Sequence, residues 1–404
     1  MMNLDRAKAA AKEYIDNIAP LLWKLSLDLH KHPEIAFEEK RSSAQITQFL
    51  EEQGFQLERG VAGLPTAFRA IRPAKGKNKP AVSYMSEYDA LPGLGHACGH
   101  NLIAMASAGA GAALANILKP ETGEVQVLGT PAEEGGGGKV IMADKGLFQG
   151  IDANMMMHPS SETRSEVNFL ALAELRFNFY GKTSHASAAP EKGINALDGV
   201  IATFNAISAL RQQILQSDRI HGVITEGGQA PNIIPEKASA WFYVRSETQE
   251  GLKAILKRVT ECARGAARST GTKLRVKKIP IEYAPMRTNS ALASLFKNNL
   301  ENLGIFEPVP LPPLQMGSSD VGNASQKTPT IHPEIKMVAP DVSAHTHAFA
   351  KAAGGQAGRK TLILGAKSLA MTGIDILLNK KAREQVRTEF RSETNHANRP
   401  KANR

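Results

Sequence analysis

The chain has 404 residues, of which 42% are hydrophobic and 22% are charged, and these proportions exclude gross disorder and a coiled coil. At roughly 150 residues per domain, this length predicts two or three domains with a sizeable core. The formal net charge is +10, and the two cysteines, Cys98 and Cys262, are too few for a disulfide framework.

The first predicted element is an N-terminal amphipathic helix. Residues 1–25 (MMNLDRAKAAAKEYIDNIAPLLWKL) carry charges throughout and lack the apolar core and cleavage site of a secretory signal. No run of about 18 uninterrupted apolar residues occurs, which argues against a membrane-spanning helix. Together with the low cysteine count, this pattern predicts a cytoplasmic protein that does not associate with membranes.

Short apolar runs then alternate with a helical pattern. Residues 80–86, 124–129 and 151–157 are apolar and end at turn residues, as buried strands do. Residues 101–118 lie between the first two runs and are rich in small residues, which favours a helix close to a sheet. This alternation predicts an α/β catalytic domain with a doubly wound, largely parallel or mixed sheet.

The pattern changes at about residue 170. The pattern from here is strand, helix, strand, helix, strand, with room for one more strand after the first helix. This order predicts a small ferredoxin-like α+β domain. The predicted domains are therefore 1–169 and 286–404, which form one catalytic domain, and the insertion 170–285. Within the insertion, strands are expected at 170–181, 219–225, 238–246 and 273–284, and helices at 195–215 and 249–270.

The C-terminal residues are strongly basic. Lys380–Arg404 contain eight Lys or Arg and three Glu, so this segment supplies half of the net charge. We predict a frayed basic end. Because aromatic residues do not interleave the basic ones, we expect no nucleic-acid binding.

The segment SEYDALPGLGHACGHN (residues 86–101) is the first candidate site. Cys98 and His100 flank a glycine, so both side chains can converge on one side of a tight turn. In a reduced protein this arrangement favours a metal site over a redox pair. The alternative is an inert cysteine beneath a loop.

The segment GTPAEEGGGGKV (residues 129–140) follows the next strand. Adjacent Glu133 and Glu134 could divide two tasks, with one binding a metal ion and the other accepting a proton from water. The alternative is a pair of solvated loop acids. Lys139 follows four glycines, but Val140 stands where a phosphate-binding loop needs Ser or Thr.

Further histidines occur at other predicted strand ends. His158 follows the third run, His332 lies in IHP, and His345 and His347 lie in SAHTHAF. One such histidine is more often structural, but several strand ends that carry Cys, His and Glu together indicate a metal centre. GSSDVG (residues 317–322) lacks the spacing of a serine-hydrolase motif.

Six segments resemble, in order, those of aminoacylase/hippuricase-type di-metal metallopeptidases (amidohydrolases). The resemblance runs from about residue 20 to 378 and is nearest to the aminobenzoyl-glutamate hydrolase and Xaa-Arg dipeptidase-like branch. The segments are LHKHPEIAFEE, SEYDALPGLGHACGHN, GTPAEEGGGG, GKTSHASAAP, APNIIP and GSSDVG.

This resemblance implies a zinc-peptidase-like catalytic domain with an inserted domain that dimerises and caps the site. It also implies two divalent metal ions, Mn, Zn or Co. In PAEE, Glu133 matches the general base. The residues that match metal ligands are Cys98, His100, Glu134, His158 and His345, with His347 as the competing choice for the last.

The resemblance assigns further roles by motif. Asp89 matches an aspartate that orients the site, and His185 matches a histidine that the partner subunit's lid offers to the substrate. Glu87 stands where aminoacylases proper have a metal-binding histidine. Asn232 and Arg245 are candidates for binding the substrate carboxylate, although Arg245 could equally be a surface charge.

The sequence thus predicts a metal-dependent hydrolase that cleaves the amide bond of N-acyl amino acids or short dipeptides with a free carboxylate. Its expected partners are that small substrate and a second copy of the chain. Two alternatives stay open at this point. The scaffold could deaminate or deacylate an aromatic amine or amide, or it could be an inactive dimeric binding protein.

Overall fold

The computed structural model of the chain describes residues 3–310 and 316–397. The chain divides into two compact units. As far as they are described, the first contains Met1–Asn168, Arg287–Gln315 and Asn323–Arg404, and the second contains Phe169–Met286 and Met316–Gly322. The sequence did not indicate that Met316–Gly322 belongs with the second unit. The predicted domain limits stay a prediction, because compactness alone does not define a domain.

A six-stranded mixed sheet lies at the centre of the first unit. In sheet order its strands are β1 (Gln56–Arg59), β2 (Phe68–Arg72), β4 (Glu124–Gly129), β3 (Ala81–Ser86), β5 (Ala153–Met155) and β11 (Thr330–Ile331). The strands from β4 to β11 run parallel, whereas β1 and β2 pair in antiparallel fashion at one edge. Every residue of β3 is buried, including Ser83 and Ser86, which explains why its sequence is mainly apolar.

A separate two-stranded parallel sheet joins β6 (His158–Ser160) to β12 (Glu334–Lys336) in the same unit. The helices of the first unit are α1 (Leu4–Lys31), α2 (Lys40–Glu52), α3 (His100–Ile117), α4 (Gly138–Asp144), α7 (Ser290–Glu301), α9 (His347–Ala353), α10 (Gln356–Leu378) and α11 (Lys380–Ala397). The short α8 (Val321–Ser325) lies where the chain leaves the second unit.

Helix α3 forms the centre of the helical layer. It contacts α1, α10, β3 and β4, and all its residues from His100 to Leu114 are buried. Its many Ala and Gly residues allow this close packing on several sides. The predicted helix at 101–118 is therefore confirmed.

Helix α10 is long and apolar enough to span a bilayer, by length and composition alone. However, 78% of its most apolar 18-residue window is buried inside the protein. Polar residues such as Lys367 interrupt this helix, so it contains no uninterrupted apolar run of about 18 residues. Its burial is that of a core helix.

The second unit is a four-stranded antiparallel sheet with two helices. Its elements follow the order β7 (Ala171–Tyr180), α5 (Ala196–Leu210), β8 (Arg219–Glu226), β9 (Lys237–Ser246), α6 (Gln249–Thr270) and β10 (Lys273–Lys278). The sheet order is β10-β7-β9-β8. Buried residues alternate along β9, and both helices contact this strand. This arrangement confirms the predicted ferredoxin-like α+β fold.

Some predicted element limits were wrong. The strand expected at 273–284 ends at Lys278, and Pro280, which has no backbone N–H to donate, follows two residues later. The strand expected at 151–157 covers only Ala153–Met155. The helix expected to reach residue 215 ends at Leu210 and continues as a short 3-10 turn.

The prediction of a frayed basic end was wrong for most of that segment. Helix α11 occupies Lys380–Ala397, and its Val386 is fully buried. The Glu389 carboxylate accepts hydrogen bonds from the backbone N–H groups of Ser290 and Ala291 at the start of α7. Residues 398–404 lie outside the described residues.

Candidate metal centre

The loop after β3 carries Asp89, Cys98 and His100. Asp89 is 1% exposed, and its Oδ1 accepts a hydrogen bond from His100 Nδ1 at 3.1 Å. Its Oδ2 accepts the Glu134 N–H at 2.9 Å. Asp89 therefore holds the ring of one predicted ligand and the backbone of another, which leaves His100 Nε2 available to an ion.

The turn between Cys98 and His100 requires glycine. Gly99 has φ +77°, and a Cβ at this position would lie 2.4 Å from Pro159 Cγ. Helix α3 begins immediately afterwards at His100. The Cys-Gly-His order thus places a sulfur and an imidazole on one side of the loop.

The loop after β4 presents Glu133 and Glu134. Ala132, just before them, adopts a left-handed conformation with φ +60°, which is strained for a residue with a Cβ. Glu39 holds this turn, because its Oε1 accepts the Ala132 N–H at 2.9 Å while its Oε2 accepts the Thr66 hydroxyl at 2.9 Å. Glu39 is fully buried, and burial raises the pKa of its carboxyl to about 6.

His158 begins β6. Its Nδ1 lies 2.7 Å from the Pro159 carbonyl oxygen, to which it donates, so Nε2 is left as the donor for an ion. The ring of His332 stacks against it at 5.3 Å between centroids. Burial lowers the pKa of His158 well below its ordinary value, and the neighbouring His332 adds to this effect. The ring therefore stays neutral, as metal binding requires.

His345 lies in the loop before α9. Its φ is +63°, and its backbone N–H donates to the Ala97 carbonyl at 3.0 Å. Its Nε2 lies 3.2 Å from Cys98 Sγ and 3.5 Å from Glu134 Oε2. His347 begins α9. The structure therefore places His345, the first of the two predicted choices, beside the other candidate ligands.

Six predicted site residues converge within the first unit. Their ligand atoms form three overlapping groups, each with all atoms within 4.8 Å of one another. The groups are Cys98, His100 and His158; Cys98, Glu134 and His345; and His100, Glu133 and Glu134. Among the described residues, His100 Nε2 and Glu134 Oε1 are buried without a hydrogen-bond partner. Two buried ligand atoms without hydrogen-bond partners that face one another fit a site for a divalent cation.

The charges of Cys98 and His100 depend on an ion. Burial raises the pKa of the Cys98 thiol above its ordinary value. Burial lowers the pKa of His100, but the Asp89 carboxylate outweighs it and raises that pKa well above its ordinary value. Both side chains therefore hold a proton that a bound cation would displace.

Sequence reasoning missed Glu39 and Lys139. Glu39 stands in the segment HPEIAFEE, but its partner Ala132 is 93 residues away, so the spacing carried no signal. Lys139 was considered only as part of a failed phosphate-loop motif. It is fully buried and forms an ion pair with Glu87.

The remaining predicted residues lie in the second unit. His185 is exposed, and its Nδ1 accepts the Ala188 N–H at 3.2 Å. Its neighbour Ala186 donates a backbone hydrogen bond to the Asn232 carbonyl at 3.0 Å, so these two predicted segments are adjacent. Arg245 lies on β9 and is half-buried, with its Nη1 3.0 Å from Ser318 Oγ. Burial lowers the pKa of this guanidinium.

The donor atoms of this cluster are imidazole nitrogen, thiol sulfur and carboxylate oxygen. Two adjacent carboxylates allow one to bind an ion while the other handles protons. The cluster lies beyond the carboxyl ends of parallel strands, where α/β sheets bind ligands. A fold and site of this kind define a metal-dependent hydrolase.

Comparisons with known proteins identify the family. A model of the M20 peptidase dimerisation domain matches residues 171–270. The Xaa-Arg dipeptidase of Mus musculus is 39% identical over 402 residues, which cover 96% of this chain and 93% of that protein. One of the subunits of the Escherichia coli p-aminobenzoyl-glutamate hydrolase is 33% identical over 70% of this chain and 62% of its own length.

The fold agrees with a solved structure. A dinuclear metal-binding peptidase of the M20 family from Bacillus subtilis superposes with a TM-score of 0.69 and 19% identity, over 90% of this chain and 99% of that one. The chain belongs to the M20 family of metallopeptidases, which confirms the predicted family and branch.

Proposed function

We propose that this metallohydrolase cleaves the amide bond of dipeptides or N-acyl amino acids that carry a free carboxylate. The observation that carries the proposal is the convergence of six donor side chains, among them the adjacent carboxylates Glu133 and Glu134. The names of the mouse and E. coli relatives support the substrate class, since one is a dipeptidase and the other hydrolyses p-aminobenzoyl-glutamate.

In the proposed mechanism, divalent ions bound to the cluster would supply Lewis acidity that polarises the amide carbonyl and acidifies water. Glu133 accepts a proton from the attacking water and later returns it to the leaving amine. Asp89 keeps His100 and Glu134 in place through its two carboxylate oxygens. The residues that would hold the ions are Cys98, His100, Glu134, His158 and His345.

The second unit supplies the remaining proposed roles. Asn232 and Arg245 bind the substrate carboxylate, and His185 stabilises the developing oxyanion from the partner subunit of a homodimer. The match of residues 171–270 to a dimerisation domain supports the homodimer. The half-buried Arg245 supports its role, because its Nε is buried without a hydrogen-bond partner among the described residues.

The donor set supports a choice among Mn²⁺, Zn²⁺ and Co²⁺. The Cys98 sulfur favours softer ions such as Zn²⁺ or Co²⁺, whereas the carboxylates also accept Mn²⁺. We also propose a cytoplasmic location, because Cys98 must remain reduced to bind an ion. Release of the protein in the soluble fraction with a free Cys98 thiol would support this location.

A substrate panel tests the proposed function. Protein reconstituted separately with Mn²⁺, Zn²⁺ and Co²⁺ is assayed on Xaa-Arg dipeptides, β-alanyl-lysine, p-aminobenzoyl-glutamate and hippurate. We expect metal-dependent release of the carboxyl-terminal amino acid, with the highest kcat/KM on dipeptides that end in a basic residue. Release of ammonia without amino acid would indicate the deaminase alternative. No turnover with any loaded metal would contradict the proposal.

A further inference from the structure

A buried ion pair lies next to the metal centre and takes no part in the mechanism above. Lys139 is fully buried, Glu87 is 1% exposed, and Lys139 Nζ lies 2.7 Å from Glu87 Oε1. Two charges are rarely withdrawn from water in this way, because the loss of hydration is costly unless each charge is well compensated. The position of the pair therefore calls for a specific reason.

The second oxygen of Glu87 faces a predicted metal ligand. Glu87 Oε2 lies 3.5 Å from His100 Nε2, the nitrogen that Asp89 leaves available to an ion. Glu134 Oε1 lies 4.0 Å from the same nitrogen. Glu87 is thus a carboxylate almost within ligand distance of the cluster, and one of its oxygens is already paired with a cation.

The glycine-rich segment brings Lys139 to this position. Helix α4 begins at Gly138, and a Cβ at this residue would lie 2.0 Å from the Pro131 carbonyl oxygen. Only glycine allows the chain to return so closely to the loop that carries Glu133 and Glu134. The lysine that the phosphate-loop interpretation left unexplained is therefore placed beside the metal centre by the same loop.

We propose that Lys139 is a positioning residue that keeps Glu87 from binding the metal ions. The ammonium group balances the Glu87 charge and holds one of its oxygens, so the carboxylate contributes to the electrostatics of the cluster without becoming a ligand. Only the residues of the cluster then bind the ions, and a coordination position stays open for substrate. The proposal depends on the metal centre but on no particular substrate.

The test uses Lys139→Met, Glu87→Gln and the double variant. Metal affinity is measured by competition with a chelator, and coordination is followed by the visible absorption of the Co²⁺-loaded protein. In Lys139→Met the freed carboxylate should turn to the ions, raise the affinity about tenfold and weaken the Co²⁺ absorption bands, as an added ligand does. In Glu87→Gln the loss of a negative charge beside the ions should lower the affinity about tenfold.

The double variant should restore both the affinity, to within about threefold of wild type, and the Co²⁺ spectrum, because neither charge remains. A matched control is the exposed pair of Lys75 and Glu121, whose charged atoms lie 3.6 Å apart. Lys75→Met, Glu121→Gln and their double variant should leave affinity and spectrum unchanged.

Opposite effects of the two single variants distinguish the proposal from a merely structural role. If both single variants lower the affinity, or if Lys139→Met leaves affinity and spectrum unchanged, the proposal is wrong. Should Lys139→Met fail to fold, Glu87→Gln and the double variant test the proposal instead. Unchanged metal affinity in Glu87→Gln would then overturn the proposal. Because these readouts use no substrate, they remain valid if the proposed function fails.

Discussion

Glu133 is the residue whose role is most directly testable. Its carboxylate lies within 4.8 Å of ligand atoms of His100 and Glu134, so it could bind an ion or act as the base. We predict that Glu133→Ala keeps the bound metal but lowers kcat by about 10²–10⁴-fold, the usual contribution of a general base. Elemental analysis beside a hydrolysis assay measures both effects.

The exposed Glu121 gives the control for this substitution, and Glu121→Ala should keep full activity. Loss of bound metal in Glu133→Ala would show that Glu133 is a ligand instead of the base. An active, metal-loaded variant would remove Glu133 from the mechanism altogether.

Glu39 predicts a pH dependence of stability. Because its pKa is raised to about 6 in the folded protein, the folded state keeps this proton at a pH where the unfolded state has lost it. The stabilisation that this proton gives is fully present below the pKa of Glu39 in the unfolded chain and is lost as the pH rises through about 6. Between pH 4 and pH 7 the free energy of unfolding of the wild type should therefore fall by about 2 kcal/mol from this residue. In Glu39→Gln this fall should be absent.

Urea unfolding of metal-free wild type and Glu39→Gln over that pH range measures the difference. Glutamine can keep contacts to both Ala132 and Thr66, so the variant should fold. Glu38→Gln is the neighbouring control, since the Glu38 side chain is 66% exposed. Parallel pH profiles of wild type and Glu39→Gln would contradict the prediction.

The sequence predicted the six side chains that converge, because each stands in a short segment with its own signal. Cys98 and His100 flank a glycine, Glu133 and Glu134 are adjacent, and His158 follows an apolar run. His345 was assigned from the resemblance of its segment to the family motif, with His347 as the competing choice. Glu39 and Lys139 could not be assigned in this way. Their roles depend on partners far along the chain, which no local spacing reveals.

At the scale of elements, α11 shows where composition misled the prediction. Its mean character is basic and polar, but a single stripe with Val386 is buried, and amphipathic burial outweighs overall charge. By contrast, strands β3 and β4 were predicted at nearly their observed limits, because both are short, mainly apolar runs bounded by turn residues. The end of β10 was missed because the apolar pattern continues beyond Pro280.

Helix α11 also gives a stability prediction. Val386→Ala removes two buried methyl groups and should lower the free energy of unfolding by about 2 kcal/mol. Thr388→Ala is the matched control, because Thr388 has nearly the same shape, is exposed on the same helix and should change stability little. Urea unfolding compares the two variants. Equal stabilities would mean that α11 is not part of the folded core.

At the scale of the whole molecule, the homodimer can be tested by complementation. Subunits with His185→Ala and with Glu133→Ala should each be inactive alone. If His185 acts on the partner's site, unfolding and refolding the two together should restore about one quarter of wild-type activity, because half of the dimers contain one complete site.

Separate refolding of each variant is the control for this experiment, and sizing by light scattering confirms that dimers form. Activity that stays absent in the mixture, with dimers present, would show that His185 does not act in trans. A monomer by light scattering would contradict the homodimer itself.

The candidate ligands of the metal centre are far apart along the chain, from Cys98 to His345, and the second unit is encoded between them. During translation, the ribosome therefore releases the whole second unit before the last donor emerges. A nascent chain that ends short of His345 exposes a cysteine with an incomplete set of neighbours. With this ligand set, metal loading would be a late event in biosynthesis, and Cys98 would have to stay reduced until then.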